Sequence, residues 1–342
     1  MFDKSIAFHA AVLVEQRSPL KVLQIHPPVL QENEALVRIH YSGICRSQIM
    51  EIDGNRGVDK WLPHLLGHEA VGIIEKVGSE KLKNKIGKRV VISWVKNKQD
   101  ISTNRNYLSK ENLLINAGDV TTLSQYSVVP LSRLHEISST VSDQVATLFG
   151  CALVTGGGMV EKYLKEKSVS KVLVIGFGGV GSAAAIMAKF LCHYEPYIVE
   201  ESKTRQAHAR SLGFNFVFSM EELEKQKIEF DFCFEAAGST TSIQFGYECI
   251  RNSGTLVFAS HPPTGDKINI DPYGLIKGKK IIGTWGGDIE DFGITAKIIS
   301  SAEELKLDLT QLVGEEFSLF AVNQAIDHSR NAYRGRTLVK MW

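Results

Sequence analysis

Residues 171–181 read KVLVIGFGGVG. An apolar run, Val172 to Ile175, passes directly into glycines at positions 176, 178, 179 and 181. The next ten residues, SAAAIMAKFL (182–191), hold helix formers and no breaker. Gly176, Gly178 and Gly181 have the spacing G-x-G-x-x-G. The first glycine permits a tight strand-to-helix turn. The second lets backbone approach a pyrophosphate, and the third lets helix and strand pack closely. Gly179 and Val180 complete the turn and open the helix, whose free N–H groups and positive dipole end suit phosphate oxygens. A glycine-rich turn is also met as pure architecture. Here it follows a strand and opens a helix, as a dinucleotide site requires.

Working outward, the rhythm of strand and helix continues. YEPYIVEES (194–202) is the next strand, closed by Glu200. A carboxylate there accepts hydrogen bonds from ribose hydroxyls and repels a 2′-phosphate, so NAD is expected over NADP. Lys203 and Arg205 stand close by with the opposite charge, and an acid at this place also reads as a solvated loop residue. TRQAHARSLGF (204–214) is a helix with Gly213 as its C-terminal stop. EFDFCFEAAG, GTLVFAS and KIIGTWGG are further strands. Strands alternating with helices imply a Rossmann fold, a doubly wound parallel sheet. Upstream the pattern is different. ALVRIHYSGI, AVGIIEKVG, KRVVISWV and SQYSVVP are short β-type runs between turn signals. The expectation is an α/β chain of two domains. A β-rich catalytic domain takes 1–152 and 290–342, and a Rossmann dinucleotide-binding domain takes 153–289. The polar stretch KNKQDISTNRNYLSKEN (96–112) reads as a surface loop.

Composition narrows the function. Among 342 residues, 44% are hydrophobic and 23% charged, as in soluble globular proteins. A net charge of +1 gives no electrostatic case for nucleic acid or an anionic membrane. No signal peptide or membrane span is read. Five scattered cysteines argue for a reducing compartment, hence a cytoplasmic location.

Three donors stand near turns outside the nucleotide unit. Cys45 lies in GICRSQ (43–48), His68 in LLGHEAVG (65–72) and Cys151 in LFGCALVTGGG (148–158). Zinc favours tetrahedral Cys/His sets, and a catalytic site keeps one position open. A cysteine taken singly is more often a small buried hydrophobe, and Cys192, Cys233 and Cys249 are read so. Spacing alone leaves Cys45 open as filler, nucleophile or ligand.

These three motifs and VLVIGFGGVG, in this order, resemble the medium-chain, zinc-dependent alcohol dehydrogenase family. The similarity runs through the C-terminal GRTLVKMW. The resemblance implies a GroES-like catalytic domain and a catalytic zinc on Cys45, His68 and Cys151. Glu69 would be an outer carboxylate or a transient fourth ligand. Ser47 would relay the substrate proton. Arg46 and Arg336 match positions that contact the cofactor pyrophosphate, Thr155 one near the nicotinamide, and Trp94 one lining the substrate pocket. The implied reaction is hydride transfer between an alcohol, or an aldehyde or ketone, and NAD(H) in a homodimer or homotetramer. The alternatives are a sugar, polyol or sugar-phosphate dehydrogenase, or a silent nucleotide-binding member. The GGDIED loop (286–291) is a possible polar substrate contact. Two departures from the family pattern stand out. The region that carries four cysteines in many relatives has none here, so a single zinc per subunit is expected. Gln48 replaces an aspartate that orients the ligand histidine, and Met50 replaces a relay histidine.

Overall fold

Val172–Ile175, the strand of the opening motif, lies at the centre of a parallel sheet. The computed structural model describes residues 1–96, 105–165, 167–287, 293–331 and 334–342. The six strands are Val172–Ile175, Tyr197–Val199, Val217–Phe218, Phe230–Glu235, Ile250–Phe258 and Lys280–Gly283. In chain order they stand third, second, first, fourth, fifth and sixth, all parallel. This is the doubly wound order. It opens a crevice at the carboxyl ends of the first and fourth strands. Val174 pairs with Ile198 on one side and Phe234 on the other. Leu173, Ile175, Val199, Phe230, Leu256 and Cys233 fill the core beneath. Cys233 is the apolar filler expected of it, and burial pushes its thiol well above the usual range.

The chain divides into two units. One holds Met1–Cys151, Val313–Asn331 and Arg336–Trp342, and the other holds Ala152–Leu312. The first crossing is close to position 152. The second lies at 312–313 rather than near 290. Helix Ile294–Glu304 stays with the nucleotide unit because its apolar face packs there: a methyl group placed on Gly157 would meet Ile298 Cδ1 at 3.1 Å. Positions 288–291 of the GGDIED loop lie outside the described residues.

The first unit is all-β with short helices. Five strands close a barrel: Phe8–Leu13, Lys21–His26, Arg105–Ser109, Leu114–Ala117 and His64–Leu65. A second sheet is built around Glu34–Gly43, which pairs with Ala70–Val77, Tyr126–Pro130 and Arg336–Lys340. One expectation fails here. The polar stretch 96–112 contains a barrel strand, with Arg105, Tyr107 and Ser109 buried. The charge of Arg105 is tolerated inside because Glu34 and Asp119 pair with it at 2.7 and 2.9 Å. Positions 97–104 of the stretch lie outside the described residues. Among the described residues, no helix is long and apolar enough to cross a membrane.

Candidate active site

Strand Glu34–Gly43 delivers Cys45 to the start of a short helix, Arg46–Ile52. Cys45 is its N-cap, in extended conformation at φ −93° and ψ 147°. The cap is closed by Gln48, whose Oε1 accepts the Cys45 N–H at 3.0 Å. The amide that stands in place of an aspartate thus serves the backbone of Cys45 through its oxygen. A residue at the third helical position reaches its own N-cap before anything else. His68 stands between strands His64–Leu65 and Ala70–Val77. Cys151 follows helix Asp143–Leu148, which Ser142 caps through the Val145 N–H. These separate stretches bring one donor atom each from Cys45, His68 and Cys151 to within 4.8 Å of one another. The two sulfurs are 4.0 Å apart.

Behind the donors lies a buried ion pair. Glu69 is fully buried, and Arg336 Nε stands 3.1 Å from its Oε1. Arg336 also donates to the Ile44 carbonyl at 3.1 Å. Arg336, expected at the cofactor pyrophosphate, is thus packed against Glu69, at 9% exposure. Room for Glu69 comes from glycines just ahead of each cysteine. A Cβ on Gly43 would meet the Glu69 carboxyl carbon at 2.7 Å, and one on Gly150 would meet its Cα at 2.6 Å. The electrostatics follow. The hydrogen bond shared with Cys151, then Arg336 and His68, hold the Cys45 thiol well below its usual range despite burial. The same shared bond, with burial and the Cys45 charge, pushes Cys151 well above. Burial disfavours a charged His68, but the Cys45 sulfur beside it outweighs that and raises the imidazole. The shared bond favours negative charge on Cys45 over Cys151. Two thiolates and Glu69, set against Arg336, leave two negative charges for a dication to neutralise.

The neighbouring side chains are placed as follows. Ser47 Oγ is buried and has no hydrogen-bond partner among the described residues. The Trp94 ring lies 6.2 Å from His68, centroid to centroid, and tilted by 62°. Arg46 is exposed, and Met50 is packed inside the helix face.

In the other unit the glycine turn has the required geometry. Gly176 has φ +89°, and a Cβ on Gly181 would collide with the Gly176 carbonyl at 1.8 Å. Gly178 is the N-cap of helix Gly179–Phe190, so Gly179, Val180 and Gly181 form its first turn. Glu200 closes its strand at 7% exposure. Its carboxylate accepts the Phe177 N–H at 2.7 Å and the Ser202 N–H at 2.9 Å, with Arg205 at 3.7 Å. The acid therefore braces the turn itself, a role its sequence position did not reveal. Thr155 Oγ1, on helix Ala152–Tyr163, is buried without a partner among the described residues.

Two family models match the chain in succession. Residues 31–139 match the alcohol dehydrogenase GroES-like domain, and residues 179–301 match the zinc-binding dehydrogenase domain. The chain belongs to the zinc-dependent, medium-chain alcohol dehydrogenase family. This dehydrogenase is 25% identical to alcohol dehydrogenase 6 of Peromyscus maniculatus over 96% of both chains. A zinc-binding-domain alcohol dehydrogenase structure from Burkholderia ambifaria shares the fold at TM-score 0.86 and 19% identity, covering 98% of this chain and 99% of that one. Benzyl alcohol dehydrogenase from Acinetobacter calcoaceticus follows at TM-score 0.84 and 21% identity, over 98% and 100%. The dehydrogenase is an alcohol dehydrogenase-like oxidoreductase. Reasoning from its sequence missed the pairing of Glu69 with Arg336. The only signal was a pair of glycines, Gly43 and Gly150, each one or two residues ahead of a cysteine.

Proposed function

We propose that the protein transfers a hydride between an alcohol carbon and NAD, with one zinc ion held by Cys45, His68 and Cys151. The observation that carries this reading is the convergence of two sulfurs and an imidazole nitrogen within 4.8 Å, with the sulfurs at 4.0 Å. Two thiolates on tetrahedral zinc, each about 2.3 Å from the metal, stand about 3.8 Å apart, so the donor set fits with little movement. Zinc bound there supplies a Lewis acid for the alcohol or carbonyl oxygen. The remaining work falls to the chain. Ser47 Oγ, buried and unpartnered, takes the substrate proton and passes it outward. Trp94 walls the pocket beside His68. Arg336 holds Glu69 behind the ligands, so the acid's charge stays balanced until the site reorganises.

For the cofactor, the turn Gly176–Gly181 offers backbone N–H groups to the pyrophosphate. Thr155 Oγ1 is a free group for the nicotinamide end. Glu200, though it braces the turn, keeps negative charge at the end of the second strand, which disfavours a 2′-phosphate there and so favours NAD over NADP. Arg46, exposed at the helix start, is assigned to the phosphates. Lys280–Gly283, the last strand of the six-stranded sheet, has an open edge on which a second copy can add its own strand.

The test is a panel of primary, secondary, aromatic and polyhydroxy alcohols with NAD and with NADP, run with metal analysis of the same preparation. Turnover with NAD and about one zinc per chain at the thiolate site is expected, with both lost in Cys45→Ala. A zinc-free protein, or full activity in Cys45→Ala, would refute the reading. Light scattering reads the oligomer, and a monomer would remove the strand-pairing proposal.

A further inference from the structure

A second group of metal-ligating side chains lies outside the thiolate site. Glu51, Asp59 and His64 bring one donor atom each to within 4.8 Å of one another. Asp59 and His64 are nearly closed off, at 7% and 8% side-chain exposure, while Glu51 keeps 33%. His64 Nδ1 faces the Leu65 carbonyl at 2.9 Å, and Nε2 faces Asp59 Oδ2 at 2.7 Å. The other Asp59 oxygen accepts the Trp61 N–H at 2.8 Å. A ring held through one nitrogen by a backbone carbonyl is the usual arrangement of a metal-bound histidine; here the other nitrogen meets Asp59 Oδ2, and a cation would enter between the two. Asp59 meets that nitrogen directly, and a Glu51 oxygen lies within 4.8 Å of a donor atom of each partner. Their nearest extra cation, Arg56, stands 3.9 Å from Glu51.

An independent observation points to a ligand. Glu51 and His64 line a cavity of about 270 Å³ that Gln48, Trp61, Asn116 and His68 also line. Gln48 is 2% exposed, and its Nε2 has no hydrogen-bond partner among the described residues. It stands one helical turn before Glu51, on the same helix face. A buried N–H left without an acceptor costs about 1–3 kcal/mol. A water molecule in this cavity supplies that acceptor.

We propose that Glu51, Asp59 and His64 bind a divalent transition-metal cation, with water completing its coordination in the cavity beside Gln48. One imidazole and two carboxylates form a borderline-hard set, suited to Mn²⁺, Co²⁺ or Zn²⁺ and poorly to soft ions. The ion ties the 53–64 loop to the helix that begins at Cys45. The expectation of a single metal per chain then becomes two different sites, one of sulfur and one of oxygen.

The full-length chain, carrying one equivalent of zinc per chain for the thiolate site and no excess, is titrated with Mn²⁺, and free ion is read by electron paramagnetic resonance. Mn²⁺ suits oxygen-rich sites and is a poor match for thiolates. About one equivalent bound per chain is expected, weakened at least about tenfold in His64→Gln and in Glu51→Gln, and unchanged in Cys45→Ser. Glu51 is partly exposed, so its variant reads the site even if His64→Gln fails to fold. No uptake of Mn²⁺ means that Asp59 and His64 form only an ion pair, and overturns the proposal. So does uptake that survives Glu51→Gln. The Cys45→Ser arm separates this failure from failure of the thiolate site.

Discussion

In the glycine turn, the groups that form the site come from one stretch, Val172 to Gln206, with Ala236 and Ala237 of the neighbouring strand end packed against Gly176. Strand, turn, helix and the next strand are contiguous, and Glu200 reaches back to the Phe177 N–H. The thiolate cluster is the reverse. Cys45, His68, Cys151 and Arg336 arrive from four separate stretches and meet only when the β-rich unit is complete. A site built locally is stiff wherever one βαβ unit folds. A site built from distant pieces depends on charge balance at the point where they converge. The two should therefore fail independently and in different ways.

The sharpest way to break this contrast is to remove a donor. Cys45→Ala should abolish zinc retention and lower kcat/KM by about a thousandfold or more, since a metal contributes several kcal/mol to the transition state and each 1.4 kcal/mol is tenfold. NAD binding, followed by quenching of intrinsic fluorescence, should stay near the parent value. A parallel loss of NAD affinity would mean that the two sites are not separately built. The converse variant is Gly181→Val. Its side chain enters space held by the Gly176 carbonyl, so the cost is about 1–3 kcal/mol or more in overpacking. NAD affinity should fall at least about tenfold while bound zinc is unchanged, by calorimetry and metal analysis.

Acid should loosen the nucleotide unit through Asp231. Burial pushes this carboxyl up, but the Lys171 N–H, the Arg251 guanidinium and Ser170 outweigh it and hold it well below the usual carboxylate range. A depressed value in the folded state stabilises above about pH 4, the unfolded value, and that stability is lost as pH falls further. Asp231→Asn should therefore cost about 1–3 kcal/mol at pH 7, and progressively less as pH falls below about 4, measured by urea unfolding across that range. A cost that does not shrink with falling pH would refute the assignment. The smallest effect is expected from Gln48→Ala. It removes the acceptor for the Cys45 N–H, and a lost cap costs about 1 kcal/mol. A thermal midpoint that does not move would show that solvent replaces the amide.

The same contrast explains what could be read without coordinates. The Rossmann half was legible because its signals are adjacent: an apolar strand, three spaced glycines and an acid at the end of the next strand. The bracing of the turn by Glu200 was not, because a carboxylate looks alike whether it meets ribose or backbone. In the β-rich half the donors were found through family likeness, since no spacing rule links residues so far apart. The strand at Arg105 was hidden for a related reason. Its charge is acceptable inside only because Glu34 and Asp119, remote in sequence, neutralise it. Whether Gln48 takes the place of an aspartate beside His68 was left open by the sequence; the structure shows its Oε1 closing the N-cap at Cys45, with Nε2 left toward the cavity that His68 also lines.

The strand Arg336–Lys340 carries a consequence for biosynthesis. It lies inside the second sheet, between Glu34–Gly43 and Val313–Ser318, and Arg336 carries the countercharge for Glu69. During translation both cysteines and His68 leave the ribosome long before this strand exists. Until it arrives, Glu34–Gly43 keeps an unpaired edge and Glu69 lacks its guanidinium. The β-rich unit therefore stays incomplete, with an exposed strand edge open to wrong pairing, while the whole nucleotide unit is synthesised. Stalled chains ending before Arg336 should accordingly stay sensitive to protease and to thiol labelling at Cys45. Maturation of this enzyme waits on one of its last strands.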